Sequence, residues 1–220
     1  DFQHFIWAVM PMGADWCSTG AYLLGGEYAA RLLNFAFLAL AVSLVYAASR
    51  PFAGRATALL CAGVFASTPL AQLVTGSLMV ENLQAVFLIG AVAAAAWYCE
   101  GGGRVQLYGT ALLAGAALAT KFGSSALAVP VLLFLLWAVW AKRAERSGEG
   151  RRAALAIMLA VAVGALPYAY AAMRTGNPFF PFMNDVFRSP YFDAKALLDA
   201  RYTRHLGLST PLEVVFGTRN

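Results

Sequence analysis

Residues 105–140 are apolar except near their middle. As one helix rising 1.5 Å per residue, this run would measure about 54 Å. The hydrocarbon layer of a bilayer is only about 30 Å thick. The run must therefore fold back, and Thr120-Lys121-Phe122-Gly123-Ser124-Ser125 is the one place to turn. That gives two spans, at 105–120 and 125–141. Similar apolar runs lie at 29–48, 56–74, 81–98 and 153–172, separated by short polar stretches. The expected class is all-α: a polytopic transmembrane helical bundle of about six spans, with interfacial loops on one face.

Composition excludes the soluble alternative. The chain is 60% hydrophobic and 12% charged, whereas soluble domains carry about 25% charged residues. Mean hydropathy is +0.65. The net charge of +5 does not imply nucleic acid, because the cations cluster in short loops, as topology signals do. The three cysteines make no disulfide framework: Cys17 precedes the first span, Cys61 lies within a span, and Cys99 ends the next one. The chain opens on Asp1 and closes on polar sequence, and it reads as an internal piece of a longer protein.

Three regions follow. Residues 1–26 form an outer interfacial loop with a short helix near 14–24, since Pro11 and Gly13 oppose a regular helix through them. Residues 27–173 form the bundle. Residues 174–220 form an aromatic loop and a polar tail, with weak helical patterning at 194–206. Glu27 and Arg31 stand four apart, the favourable order for a helical ion pair. Gly109 and Gly115 should let the fourth span pack closely.

Alternation of the spans sorts the loops. Arg50, Arg55, Arg104, Lys142, Arg143, Arg146, Arg151 and Arg152 share one face, which the positive-inside rule makes cytoplasmic. Asp15, Glu27, Glu81, Asp185 and most other acids fall on the opposite face. Chemistry is expected there, among the acids, prolines and aromatics.

The candidates are few. Glu81 opens the third span with Asn82 beside it, and charged groups at membrane depth mark sites by default; its plain alternative is a helix end at the headgroup level. Lys121 breaks the positive-inside trend and could hold a lipid phosphate as a point charge, or merely snorkel to the interface. Asp15, beside Trp16, could orient or deprotonate an acceptor hydroxyl, or be an exposed loop acid. Arg174 could pair with a phosphate. It opens Arg174-Thr175-Gly176-Asn177-Pro178, ahead of Phe179, Phe180 and Phe182; an interfacial loop with aromatic anchors is the alternative. His4 and His205 are too few for a histidine metal site, and no Walker or dinucleotide fingerprint occurs. No internal repeat supports the inverted-repeat transporter pattern.

Together these segments resemble the GT-C type of polytopic glycosyltransferase, near the bacterial protein O-mannosyltransferases and aminoarabinose transferases. The residues that carry the likeness are Met10-Pro11-Met12-Gly13 leading to Leu24-Gly25-Gly26-Glu27, and Thr68-Pro69 ahead of Thr75-Gly76-Ser77 and Glu81. Ala119-Thr120-Lys121-Phe122 and Thr175-Gly176-Asn177-Pro178-Phe179-Phe180-Pro181-Phe182 complete the set. The resemblance implies transfer of a sugar from a polyprenyl-phosphate-linked donor to a lipid, glycan or protein acceptor. The reaction would run at the outer face of a bacterial cytoplasmic membrane. It implies an acid in the first outer loop, for which Asp1 or Asp15 stands in. Glu81 matches the second acid, although the family often has Asp there, and Lys121 matches the Thr-Lys turn. Asp15 and Glu81 are thus the expected catalytic residues; Asn82, Lys121, Arg174 and Asn177 are the expected substrate contacts, with room for a divalent cation. The rival readings are a transporter or flippase of lipid-linked saccharides and a noncatalytic partner in envelope assembly. Mid-span positions that are almost wholly Ala, Leu, Val and Gly speak against transport.

Overall fold

The computed structural model describes residues 6–142, 148–192 and 210. Among them there is no strand. A 3-10 turn at Ile6–Val9 leads into α1 (Gly13–Ser67), α2 (Pro69–Gly76), α3 (Glu81–Cys99) and α4 (Arg104–Thr120). After a second 3-10 turn at Phe122–Ser124 come α5 (Ser125–Lys142), α6 (Glu149–Gly164), α7 (Leu166–Thr175) and the short α8 (Asn184–Phe187). Asp1, Arg143, Arg146 and the tail helix expected at 194–206 lie outside the described residues.

The 55-residue α1 is not one rod. Its backbone leaves helical geometry at Gly25 and Gly26, and again at Gly54. Gly26 (φ 66°) and Gly54 (φ 74°) adopt left-handed values that cost a glycine nothing. The Gly54 break is a hairpin. Asn34 on one side of it donates to the carbonyls of Val74 and Thr75 on the other, so the chain returns antiparallel to itself. The expected turn at 49–55 is therefore present, though tighter than a loop.

Among the described residues, three helices are long and apolar enough to cross a membrane: Gly13–Ser67, Glu81–Cys99 and Phe122–Ala141. The pair α6–α7, bent by 50°, makes a fourth if it counts as one span. The count of six is not confirmed. α1 counts as one candidate although its backbone breaks at Gly25–Gly26 and at Gly54, and α4 has only 17 residues, about 25 Å of rise. The α6–α7 bend has a local cause. Pro167 has no N–H to offer the carbonyl of Val163, and its ring crowds that turn.

The core is built from small residues and the exterior from large ones. Ala91, Ala111, Ala114, Ala117 and Ala128 are fully buried, while Leu32, Phe35, Leu60, Leu133, Trp137 and Met158 are exposed. A water-soluble bundle would invert this order. In lipid nothing is gained by hiding leucine, and close backbone approach is what holds helices together. α4 lies at the centre, packed on α3, α5 and α6. Gly115 marks its tightest contact: a Cβ there would stand 2.6 Å from the Ala160 carbonyl oxygen. Gly109 has nothing within 4 Å, so of the two glycines expected to allow close packing only Gly115 meets a neighbour.

Register places each end of the bundle. Asn34 meets Asn82, and Leu44 lies beside Gly90. Continued down the pair, this brings the Gly54 hairpin level with the end of α3 at Cys99. One end thus gathers Asp15, Glu81 and Lys121, and the other gathers Tyr98, Arg104 and Glu149. None of the three cysteines forms a disulfide among the described residues.

Candidate active site

Three helix ends converge on Lys121. α3 begins at Glu81, and an acid in the first turn is favoured by the partial positive charge of a helix N-terminus. α4 ends at Thr120, where the helix dipole favours a cation, and Lys121 follows in extended backbone. Because α3 and α4 run antiparallel, these two ends are neighbours. Lys121 Nζ donates to Glu81 Oε1 at 2.6 Å. The third end is the first turn of α1. Gly13 packs so closely on α4 that a Cβ would meet the Ala119 carbonyl oxygen at 3.0 Å. This brings half-buried Asp15 into the electrostatic field of both Glu81, which repels its carboxylate, and Lys121, which attracts it.

The ion pair is not there for stability. Its side chains are 45% and 38% exposed, and pairs of that exposure contribute about 0–1 kcal/mol. Glu81 Oε2, in contrast, is buried and has no hydrogen-bond partner among the described residues. A buried acceptor left unmade costs about 1–3 kcal/mol, so this oxygen calls for a water, an ion or a ligand hydroxyl, as do the buried hydroxyls of Ser124 and Ser189. As for a divalent cation, no three His, Cys, Asp or Glu side chains come together among the described residues. Glu81 and Asp15 alone would supply two carboxylates.

Behind this cluster a polar network fixes the α3 N-terminus. Asn82 is buried and donates to Asn34 Oδ1 at 3.0 Å and to Thr75 Oγ1 at 2.8 Å. Thr75 Oγ1 in turn donates to the Ala71 carbonyl. Arg31 pairs with Glu27, as the spacing suggested, and also caps α2 by donating Nη1 to the Gly76 carbonyl at 2.8 Å. α1, α2 and α3 are thereby tied together directly behind Glu81. Asn34, Thr75 and the capping role of Arg31 were missed from the sequence. A lone Asn inside the apolar run 29–48 was the available signal.

The loop after α7 is brought to the same place by aromatic contacts. Phe122, adjacent to Lys121, stacks on Phe182 with ring centres 4.9 Å apart and meets Phe179 edge-on at 6.0 Å. Tyr168 meets Phe179 and donates to the Leu118 carbonyl. The loop has its own rigid heart. Asn177 is fully buried and donates to the Phe182 carbonyl and to Asn184 Oδ1, while its Oδ1 accepts from Phe179 N. Asn184 donates to the Ser189 and Phe192 carbonyls. Asn82 and Asn177, expected as substrate contacts, thus have their side-chain amides engaged within the protein. Arg174 is exposed at the last turn of α7, where its charge suits the helix C-terminus.

Two cavities lie near the end of α4, one reaching Phe122 and the other Ala119, and neither is lined by Glu81 or Lys121. An apolar groove of about 350 Å³ starts at Phe122 and runs between α5 and α6, past Val129, Leu132 and Val161. A second cavity of about 420 Å³ lies between the first turn of α1 and α7, walled by Met10, Met12, Gly13, Trp16 and Tyr170; Asp15 is not among its lining residues.

No curated protein and no solved structure matches the chain. Residues 9–170 match the sequence profile of the dolichyl-phosphate-mannose-protein mannosyltransferase family, a stretch that includes Asp15, Glu81 and Lys121. With most of its length matched, the chain belongs to that family of membrane glycosyltransferases of the GT-C type.

Proposed function

We propose that the chain transfers a sugar from a polyprenyl-phosphate-linked donor to an acceptor hydroxyl, at the Asp15–Glu81–Lys121 end of the bundle and on the outer side of a bacterial cytoplasmic membrane. The observation that carries this reading is the Lys121–Glu81 ion pair, with Glu81 Oε2 buried and unpartnered beside it, where the ends of α3 and α4 meet. Breaking the bond between the anomeric carbon and the phosphate oxygen leaves the electron pair on the phosphate. Lys121 is placed to neutralise that charge, and a preorganised charge of this kind lowers the barrier. The acceptor oxygen forms the new bond to the anomeric carbon, and its proton passes to Asp15. Glu81 holds Lys121 through Oε1 and offers Oε2 to a hydroxyl of the sugar. The groove at Phe122 suits the polyprenyl chain, the cavity at Gly13 and Trp16 leaves room for the acceptor, and Arg174 adds a second cation near the aromatic loop.

Donor turnover in full-length protein tests this. Lys121→Gln is expected to lower turnover about 10²–10³-fold, the usual effect of removing one group that stabilises charge in the transition state. Glu81→Gln, which loosens the hold on Lys121 and weakens the sugar contact, is expected to lower it as well. Near-normal turnover in Lys121→Gln would remove the central cation from the mechanism.

A further inference from the structure

At the far end of the bundle from Lys121, a carboxylate is buried. Glu149, the first residue of α6, is 3% exposed. Tyr98, at the end of α3 and itself buried, donates Oη to Glu149 Oε2 at 2.8 Å. Arg152, one turn along α6, donates Nη1 to Oε1 at 2.7 Å. Buried ion pairs seldom repay their desolvation, so this one is weak as a stabilising device. What it does accomplish is to fix the head of an arginine. Among the described residues, Nε and Nη2 of Arg152 make no hydrogen bond of their own.

That head fronts a cavity of about 310 Å³ lined by Tyr98, Gly103, Arg104, Leu107, Glu149 and Arg152. Arg104 is exposed and joins no ion pair among the described residues. It is also the first residue of α4, so the positive end of that helix forms part of the same wall. Two guanidinium groups and a helix N-terminus outweigh the one carboxylate, which already has its donors. The cavity therefore selects an anion. It lies where three helices of the bundle begin or end, at the level of Gly54 with its flanking Arg50 and Arg55. Basic pockets between membrane helices at such a level take phosphate headgroups of anionic lipids, and a guanidinium fork matches two phosphate oxygens at once.

We infer that this cavity binds a phosphate group, held by Arg152 and Arg104, with Glu149 and Tyr98 aiming Arg152. The phosphate can belong to an anionic phospholipid or be a free ion. The inference is independent of the reaction proposed for the other end.

Native mass spectrometry of full-length protein, titrated with phosphatidylglycerol and separately with phosphatidylcholine, tests it, with inorganic phosphate as competitor. Phosphatidylglycerol should bind several-fold more tightly than phosphatidylcholine. Arg104→Gln and Arg152→Gln should each weaken it roughly fivefold. Arg104→Gln leaves no buried charge unpaired, so it separates binding from folding. If inorganic phosphate fails to displace the lipid, the lipid is the source; if it displaces the lipid at low millimolar concentration, the free ion is. Equal binding of the two lipids, or undiminished phosphatidylglycerol binding in both variants, would overturn the assignment.

Discussion

Replacing Gly115 by alanine should push α4 and α6 apart. The added methyl would sit 2.6 Å from the Ala160 carbonyl oxygen and 3.0 Å from its Cα. Both are backbone atoms that cannot rotate away, so ordinary contact near 3.4 Å requires an opening of about 0.8 Å. The seam that opens is the central one, where Ala111, Ala156 and Ala160 are buried. Overpacking of this kind costs about 1–3 kcal/mol. Alanine returns about 0.8–1.0 kcal/mol of helix propensity. Gly109→Ala is the matched control: it gains the same propensity on the same helix and meets nothing within 4 Å. The difference between the two variants therefore isolates the overpacking, and Gly115→Ala should be the less stable by about 1–3 kcal/mol. Equilibrium unfolding of full-length protein in mixed micelles with rising SDS reads that difference. Equal stability of the two variants, or a more stable Gly115→Ala, would refute the packing of α4 on α6 as described.

Two further substitutions test the scaffold around the candidate site. Asn34→Leu removes the donor to Val74 and Thr75 and one acceptor for Asn82. It should cost about 0.6–1.7 kcal/mol in the same unfolding assay, and it should lower donor turnover by loosening the turn that carries Glu81. Asn177→Ala leaves Phe179 N and the Phe182 carbonyl without their loop partner. It should cost about 1–3 kcal/mol and expose the 176–192 loop to limited proteolysis, whereas a pure substrate contact would leave the proteolysis pattern unchanged.

Helical character was legible: the expected runs at 29–48, 81–98, 105–120 and 125–141 each lie inside one helix, and the forced turn at Thr120–Ser125 is where α4 gives way to α5. The runs at 56–74 and 153–172 are instead interrupted, at Thr68 and at Ala165. Which face of each helix would be buried was not legible. In water an amphipathic stripe announces the core, but here lipid-facing and core-facing positions are both apolar. Gly109 and Gly115 therefore look alike in sequence and differ completely in surroundings. Pro167 was readable as a kink, but it was hidden inside a run that met the length of a span. Asn34 was passed over because a single amide barely changes the hydropathy of its window. In the absence of competing water, however, that amide finds partners on two other segments.

The position of the candidate site follows from span length more than from any local motif. When two antiparallel arms of about 19 residues are joined by a tight turn, residues near the open end stand about 40 apart in sequence. Asn34 and Val74 are so spaced across the Gly54 hairpin, and Glu81 and Lys121 across the turn at Gly101–Gly103. The first pair anchors the end of one hairpin, and the second forms the charged end of the next. Asn82 bonds the two together. Dipoles then decide which charge goes where: acids at the starts of α1 and α3, and a lysine where α4 stops. Reversing the Glu81–Lys121 pair would keep its Coulomb attraction but set each charge against its own helix end. A charge-swapped variant should therefore be less stable than the wild type, although the same two side chains still meet.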